Sequence, residues 1–161
     1  MTKKEKLESL WDKVKDIRIA MMTTTEADGS LRSRPMYTQE ADTFAGDLWF
    51  FTRDDSGKIR EITHDAQVNL GYADPDDQTY VSVSGRAQVV DDKAKEKELW
   101  SPALKAWFDG LDDPHLTLIR VDADEAEYWD GADNKVVQLF KMAKAAVTGE
   151  RSDDENEKVS I

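Results

Sequence analysis

Two arginines at alternate positions of a short polar strand are the first residues whose type and spacing suggest chemistry. Arg32 and Arg34 stand at i and i+2 in the segment 31–39, which we predict to be a strand, so both side chains point to one face. Arginine binds phosphate or carboxylate through paired hydrogen bonds, which makes the two a candidate anion clamp. The alternative is a charged, solvent-exposed sheet face. Pro35 cannot donate to a sheet ladder, so we expect an edge or an interruption there.

A strand end that leads into a helix start supplies a second candidate anion site. Phe51 and Thr52 end an aromatic strand, and Ser56, Gly57 and Lys58 open a predicted short helix. The free N–H groups of a helix start, a hydroxyl and an ammonium together suit a phosphate dianion. The alternative is an ordinary helix cap with a surface lysine. A nucleotide-hydrolysing P-loop is excluded, because the Gly-Lys pair is not followed by Ser or Thr.

Other catalytic and metal-binding chemistries find no support in the sequence. His64 and His115 are the only two histidines, and neither belongs to a zinc-binding pattern. The sequence contains no cysteine and no G-x-S-x-G, which excludes thiolate chemistry and leaves serine hydrolysis unsupported. Paired aspartates mark turns and lack the spacing of a calcium loop. We therefore expect no metal site.

Length and net charge limit the class of protein. The chain has 161 residues, enough for one domain, and a formal charge of −12, which disfavours generic binding to nucleic acid or anionic membranes. No apolar run approaches the roughly 20 residues of a membrane-spanning helix, and the charged N-terminus does not resemble a signal peptide. We expect a cytoplasmic protein, in keeping with the lack of cysteine. An anionic ligand then requires a local basic pocket, which the two candidate sites offer.

The residue pattern predicts an α+β fold in which helices flank closely spaced antiparallel strands. Apolar residues from Leu7 to Ile17 recur at helical spacing, and a hairpin follows around Asp28-Gly29. Further strands are predicted at 48–52, 68–72, 79–84, 86–90, 116–121 and 125–129, with helices at 58–62, 94–108 (restarting at Pro102) and 136–147. Short strands separated by turns suggest a barrel of six or more strands. We place one domain at 1–148 and expect the acidic segment 149–161 to be a disordered tail.

Several motifs, taken in order, resemble the pyridoxamine 5'-phosphate oxidase-like split barrels that bind flavin mononucleotide (FMN), and particularly their bacterial general stress protein branch. The motifs are Asp28-Gly29 with Arg34-Pro35-Met36, Trp49-Phe50-Phe51-Thr52 with Ser56-Gly57-Lys58, Ser84-Gly85-Arg86-Ala87, Asp113-Pro114-His115-Leu116 and Glu127-Tyr128-Trp129-Asp130. Each fragment alone is weak, whereas the ordered set is fairly specific. The resemblance implies an antiparallel split β-barrel and a homodimer with the flavin between its subunits.

The resemblance also implies which residues contact the flavin. It places Arg34, together with Pro35 and Met36, against the flavin and its ribityl-phosphate chain. Phe51 and Thr52 match the next binding positions along the chain. FMN is the cofactor that the family implies, with FAD as a further possibility.

The same resemblance assigns the phosphate and the partner subunit. Ser56, Gly57 and Lys58 fall on the phosphate-binding stretch, in agreement with the helix-start argument made from the residues themselves. The oxidase has Ser-Arg-Lys there, so this chain lacks one guanidinium, for which Arg32 on the neighbouring strand is a candidate substitute. Trp129 matches an aromatic residue that the family brings from the second subunit.

Departures from the oxidase pattern fall on its substrate-binding residues. Gln39 stands where the oxidase has a lysine, and residues 135–137, Lys-Val-Val, replace the Arg-x-His element that grips the vitamin B6 phosphate. We therefore expect no pyridoxamine phosphate oxidase activity, while flavin binding is retained.

Three functions remain open at this point. The first is an FMN-binding flavoprotein of oxidoreductase type, related to stress, in which the cofactor carries the electrons. The second is a binding or sensing module for FMN, FAD or a deazaflavin that performs no turnover. A third possibility is a barrel that serves only as an interaction scaffold.

Overall fold

The computed structural model of the chain describes residues 2–41, 44–131, 142–144, 146–149 and 155–161. The elements are α1 (Lys3–Ile17), β1 (Ile19–Thr25), β2 (Leu31–Tyr37), β3 (Asp47–Arg53), α2 (Gly57–His64), β4 (Gln67–Asp74), β5 (Thr79–Val90), α3 (Lys93–Leu99), a 3₁₀ helix (Pro102–Ala106), β6 (Leu116–Asp130) and β7 (Glu155–Ser160). Residues 142–144 and 146–148 are also helical. Of the helix predicted at 136–147, positions 136–141 and 145 lie outside the described residues.

The strands form one curled antiparallel sheet. Its order is β2-β1-β4-β5-β6-β3. Strand β7 pairs with residues 125–130 of β6, beyond the part of β6 that pairs with β3. The curl produces a half-barrel around fully buried side chains, which include Met22, Phe50, Leu70, Val83 and Ile119. This arrangement confirms the predicted α+β split barrel of antiparallel strands.

Helices α1 and α2 bury apolar side chains in the main core that the half-barrel encloses, as the apolar spacing of α1 predicts. Thr2 and Glu5 form a capping box at the start of α1, with each side chain bonded to the other residue's backbone N–H. Leu10 and Val14 bury one face of α1 in the main core, against β4, β5 and β7. Among the described residues, no helix is both long and apolar enough to cross a membrane.

Two strands are longer than the sequence suggested. We expected breaks at Gly85 and around Asp122, but β5 and β6 run through both points without interruption. The register between them shifts by one residue at Ser84 and Gly85, which is a β-bulge. A Cβ atom at Gly85 would lie 2.2 Å from the carbonyl oxygen of Asp122. Glycine here therefore marks a close approach of two backbones rather than the end of a strand.

The C-terminal segment also differs from expectation. The disordered tail predicted for 149–161 is wrong for 155–160, because these residues pair with β6 as strand β7. Val159 is buried in the main core, and Ile161 packs against it beside Gly46. The acidic composition suggested disorder, but the segment also contains Val159 and Ile161, which pack into the main core. Residues 150–154 lie outside the described chain.

A long connection between β5 and β6, residues 91–115, carries α3 and the 3₁₀ helix. The predicted helical segment does restart at Pro102, as a short 3₁₀ helix. Leu99 and Leu104 from this connection join Phe51 and Leu118 of the sheet in a second, smaller core. The connection is thereby fixed on the outside of β3 and β6.

The bulge at Gly85 predicts a sharp stability effect. Gly85→Ala should lower the free energy of unfolding by about 2–4 kcal/mol, because the added methyl group meets backbone atoms that cannot move aside. Gly71→Ala on neighbouring β4 is the matched control, since its Cβ would meet only ordinary contact at 3.9 Å. Urea denaturation of both variants checks this. Equal losses in the two variants would contradict the close approach.

Candidate functional site

A cavity of about 400 Å³ lies between β2, β3, the start of α2 and the β5–β6 connection. Six of the residues predicted to bind a ligand line it: Pro35, Met36, Phe51, Thr52, Ser56 and Lys58. The remaining four predicted residues, Arg32, Arg34, Gly57 and Trp129, are not part of the lining. The volume falls within the range of roughly 300–1,000 Å³ that is usual for small-molecule sites. The structure thus brings the end of β2 and the start of α2 to one cavity, without the two arginines of β2 in its lining.

Two cations, Lys58 and Arg53, line the cavity, and Arg53 is paired with Asp55 and Asp113. Lys58 is held differently. Its Nζ donates hydrogen bonds to Thr52 Oγ1 at 2.8 Å and to Ser56 Oγ at 3.3 Å, and both partners are neutral hydroxyls. In the part of the chain that the structure describes, no carboxylate lies within 4.0 Å of this nitrogen. Burial lowers the pKa of Lys58 below its ordinary value, and nearby Arg34 and Arg32 lower it further against the opposing effect of Glu61. A bound anion would relieve this unbalanced charge.

The start of α2 adds hydrogen-bond donors beside Lys58. Ser56 is the N-cap of the helix, yet its side chain makes no capping hydrogen bond. The hydroxyl is instead turned toward Lys58. The first N–H groups of a helix carry the positive end of its dipole, so Ser56 and the following backbone favour an anion at this corner. Gly57 has open space around a Cβ position, so no steric requirement for glycine is visible there.

Arg34 does not line the cavity and is engaged with neighbouring side chains. Its guanidinium forms an ion pair with Glu61, with Nη2 2.6 Å from Oε2, and donates from Nη1 to Thr24 Oγ1 at 2.5 Å. Only 14% of the Arg34 side chain and 12% of the Glu61 side chain are exposed. Arg32 shares its strand face and is exposed. The two arginines therefore affect Lys58 through their charge and do not line the cavity.

Glu61 is a site residue that the sequence analysis missed. Burial raises its pKa, but hydrogen bonds from Thr24 and Arg34 outweigh this, and the net result is a pKa below the ordinary value. Glu61 therefore stays ionised and balances the charges of Arg34 and Arg32. Its spacing of three residues from Lys58 on one helix was the available signal, since i and i+3 share a helix face.

An aromatic wall, also missed by the sequence analysis, faces the polar corner. Trp107 and Phe108 follow the 3₁₀ helix and line the cavity together with Leu104 and Tyr37. The rings of Trp107 and Tyr37 are stacked with centroids 5.9 Å apart. Phe51 contacts Phe108 in a tilted arrangement at 6.2 Å. The cavity therefore combines a cationic corner with apolar and aromatic walls.

Trp129 is not part of the cavity lining of its own chain. It sits near the end of β6 and pairs with Tyr80, whereas Phe51 and Thr52 pair with the opposite end of β6, at Leu118 and Thr117. Across the sheet, the strand registers place Trp129 level with Ile19, a lining residue three strands away.

Comparisons with known proteins agree with this architecture. The family model described as pyridoxamine 5'-phosphate oxidase like matches residues 5–153. Protein bli-3 of Neurospora crassa is 32% identical over 142 residues, covering 82% of this chain and 68% of that protein. General stress protein 26 of Bacillus subtilis is 29% identical over 91 residues, which is 55% of this chain and 65% of that protein.

Solved structures of general stress proteins are similar to this chain as well. The general stress FMN/FAD binding protein of Xanthomonas citri is 32% identical, with a TM-score of 0.70 over 81% of this chain and 92% of that one. A candidate general stress protein 26 of Jannaschia sp. CCS1 is 25% identical and has a TM-score of 0.78, covering 98% of this chain and 99% of that one. The fold is thus shared over nearly the full length of this chain and the Jannaschia protein.

The Arg34–Glu61 pair generates a prediction about acid stability. Glu61→Gln should lower the free energy of unfolding near neutral pH by about 1–3 kcal/mol, because it leaves a largely buried guanidinium without its carboxylate. The pKa of Glu61 is lowered in the fold, so its stabilising effect is present above the ordinary Glu pKa and is lost as pH falls through the lowered value. The difference between wild type and variant should therefore shrink in acid. Denaturant titrations across pH measure it.

The control for this prediction is Glu8→Gln, which removes an exposed carboxylate from an ion pair on α1. Its effect should stay within about 0.5 kcal/mol at every pH. A Glu61 variant as stable as this control at neutral pH would show that the pair contributes nothing.

Proposed function

Because the chain belongs to the pyridoxamine 5'-phosphate oxidase-like family, we propose that it is an FMN-binding flavoprotein of the oxidoreductase type. The observation that carries the proposal is Lys58, a partly buried cation held by two hydroxyls at one corner of an apolar cavity. The Xanthomonas citri relative is named as an FMN/FAD binding protein, which supports a flavin as the ligand. The Bacillus subtilis relative is a general stress protein, which supports a role under stress.

The polar corner suits the phosphate of FMN. Lys58 supplies a charge-assisted hydrogen bond, and Thr52, Ser56 and the first N–H groups of α2 supply neutral donors around it. A terminal phosphate monoester carries nearly two negative charges, so it is the chemical group that best balances a cation without a carboxylate partner. This argument favours FMN as the cofactor, and FAD is the second candidate.

The remaining walls suit a flat, largely apolar ring. Met36 and Phe51 come from the sheet, and Phe108 comes from the β5–β6 connection. Burial of the ring between these side chains would exclude water from it and fix its orientation. When bound, the flavin would supply the redox chemistry, and the chain would bind and orient it.

A vitamin B6 phosphate is a poor substrate for this cavity. Gln39, where the oxidase resembled by this chain has a lysine, lines the cavity as a neutral residue, and its Nε2 is bonded to the Tyr37 carbonyl oxygen. Residues 135–137, which replace the oxidase's substrate-binding element, lie outside the described residues. We therefore propose a flavoprotein without pyridoxamine phosphate oxidase activity.

We also propose that the active form is a homodimer. One outer face of the sheet exposes Ile19, Met21 and Tyr80, and the strand registers place Trp129 on this same face. Ile19 and Pro35 line the cavity as well, so the cavity borders this face. A second copy seated here would cover the apolar side chains and would be able to bring its Trp129 to the flavin.

The first prediction from this proposal concerns flavin affinity. Titration with FMN should produce a shifted visible flavin spectrum, and Lys58→Ala should raise the Kd by roughly 10- to 100-fold, because one charge-assisted hydrogen bond contributes about 1.5–3 kcal/mol. Riboflavin, which has no phosphate, should bind both forms equally. The bound FMN should also be reduced by NADH or NADPH under anaerobic conditions.

Lys97→Ala is the control, since Lys97 is exposed on α3. A wild-type protein that binds no flavin would refute the proposal. An unchanged Kd in the Lys58 variant would place the phosphate elsewhere. If FMN binds tightly but neither NADH nor NADPH reduces it, the protein is a flavin-binding module rather than an oxidoreductase.

The second prediction concerns assembly. Met21→Glu places a charge on the exposed apolar sheet face and should convert a dimer of about twice the chain mass into a monomer, as measured by light scattering after gel filtration. Thr63→Glu, on the exposed side of α2, should leave the dimer intact. A wild-type protein that is monomeric at micromolar concentration would contradict the proposed interface.

A further inference from the structure

The connection between β5 and β6 is far longer than the pairing of these strands requires. Val90 pairs with Leu118 in an antiparallel register, and two residues suffice to join such strands. Residues 91–115 instead leave the sheet and return to it. Long connections in compact domains are usually functional. Here the connection forms one wall of the cavity.

This wall is firmly anchored. Leu104 of the 3₁₀ helix is buried to 1% exposure and packs with Phe51 and Leu118 in the smaller core. Trp100 meets the ring of Phe51 edge-on at 5.7 Å. The connection therefore presents its remaining side chains to the cavity from a fixed position.

Trp107 is not part of the smaller core that anchors the connection. The N–H groups of Trp107 and Phe108 both donate to the carbonyl oxygen of Leu104, at 3.0 and 2.9 Å, which fixes the backbone. The Trp107 ring stacks on Tyr37 with an interplanar angle of 29°. It lines the cavity and yet remains 63% exposed. A fixed, exposed indole beside a ligand cavity suits a second flat ring, because aromatic stacking buries the area that water solvates poorly.

We propose that Trp107 stacks on the isoalloxazine ring of the flavin and sets the affinity of the cavity for the ring, independently of the phosphate. The inference rests on the proposed function, because it takes the flavin as the ligand. Two separate elements then bind two parts of the flavin. Lys58 and Ser56 at the start of α2 bind the phosphate, and Trp107 on the β5–β6 connection binds the ring.

The test compares three probes, namely FMN, riboflavin and lumiflavin, which share the ring and differ in the side chain and phosphate. Trp107→Ala should weaken the binding of all three by the same factor, roughly 5- to 100-fold, the range for losing one aromatic stacking partner. Trp107→Phe should recover most of the affinity. Lys58→Ala should weaken FMN alone. Fluorescence titration of each flavin gives the dissociation constants.

Lys105→Ala, at an exposed position of the same 3₁₀ helix, is the control and should leave all three constants unchanged. Wild-type flavin binding that is unaltered in Trp107→Ala overturns this inference and leaves the proposed function standing. The inference is also overturned if the variant loses FMN affinity but keeps lumiflavin affinity, or if it changes only the self-association of the chain. Failure of the wild-type protein to bind any of the three probes refutes the proposed function itself.

Discussion

Lys58 brings a positive charge into a partly buried corner where two hydroxyls, from Thr52 and Ser56, accept its hydrogen bonds. Hydroxyls solvate an ammonium group but do not neutralise it, and the neighbouring arginines make its charged form still less favourable. The chain as a whole carries a charge of −12, so a local cluster of cations must be held together by specific contacts. An anion that enters this corner removes an electrostatic cost, and that difference is a source of binding free energy.

The ion pair of Arg34 and Glu61 keeps this corner intact without a ligand. Glu61 lies one helical turn after Lys58, and it accepts hydrogen bonds from Arg34 and from Thr24 of strand β1. The pair ties α2 to the sheet and supplies a negative charge next to the cations. The guanidinium of Arg34 is engaged with Glu61, whereas Lys58 keeps its charge available.

The sequence predicted those features that depend on neighbouring residues. The hairpin, the N-terminal helix and the placement of Ser56 and Lys58 at a helix start each follow from local spacing, and the resemblance supplied the split barrel. The partner of Arg34 was not predictable, because the pairing of β1 with β2 and the packing of α2 on β1 together create it. The same holds for the aromatic wall, since Trp107 reaches the cavity only after the β5–β6 connection folds back on the sheet. Strand β7 was not predicted, because most of its residues are charged or polar and Val159 is its one apolar residue.

A crystal structure of the protein with FMN bound tests the central claim most directly, since it locates the phosphate relative to Lys58. The account predicts a phosphate oxygen within hydrogen-bond distance, about 2.7–3.2 Å, of the Lys58 Nζ atom and of the Ser56 hydroxyl. The ion pair between Arg34 and Glu61 should remain in place. A flavin whose phosphate lies away from α2, with Lys58 still bonded only to hydroxyls, would contradict the account.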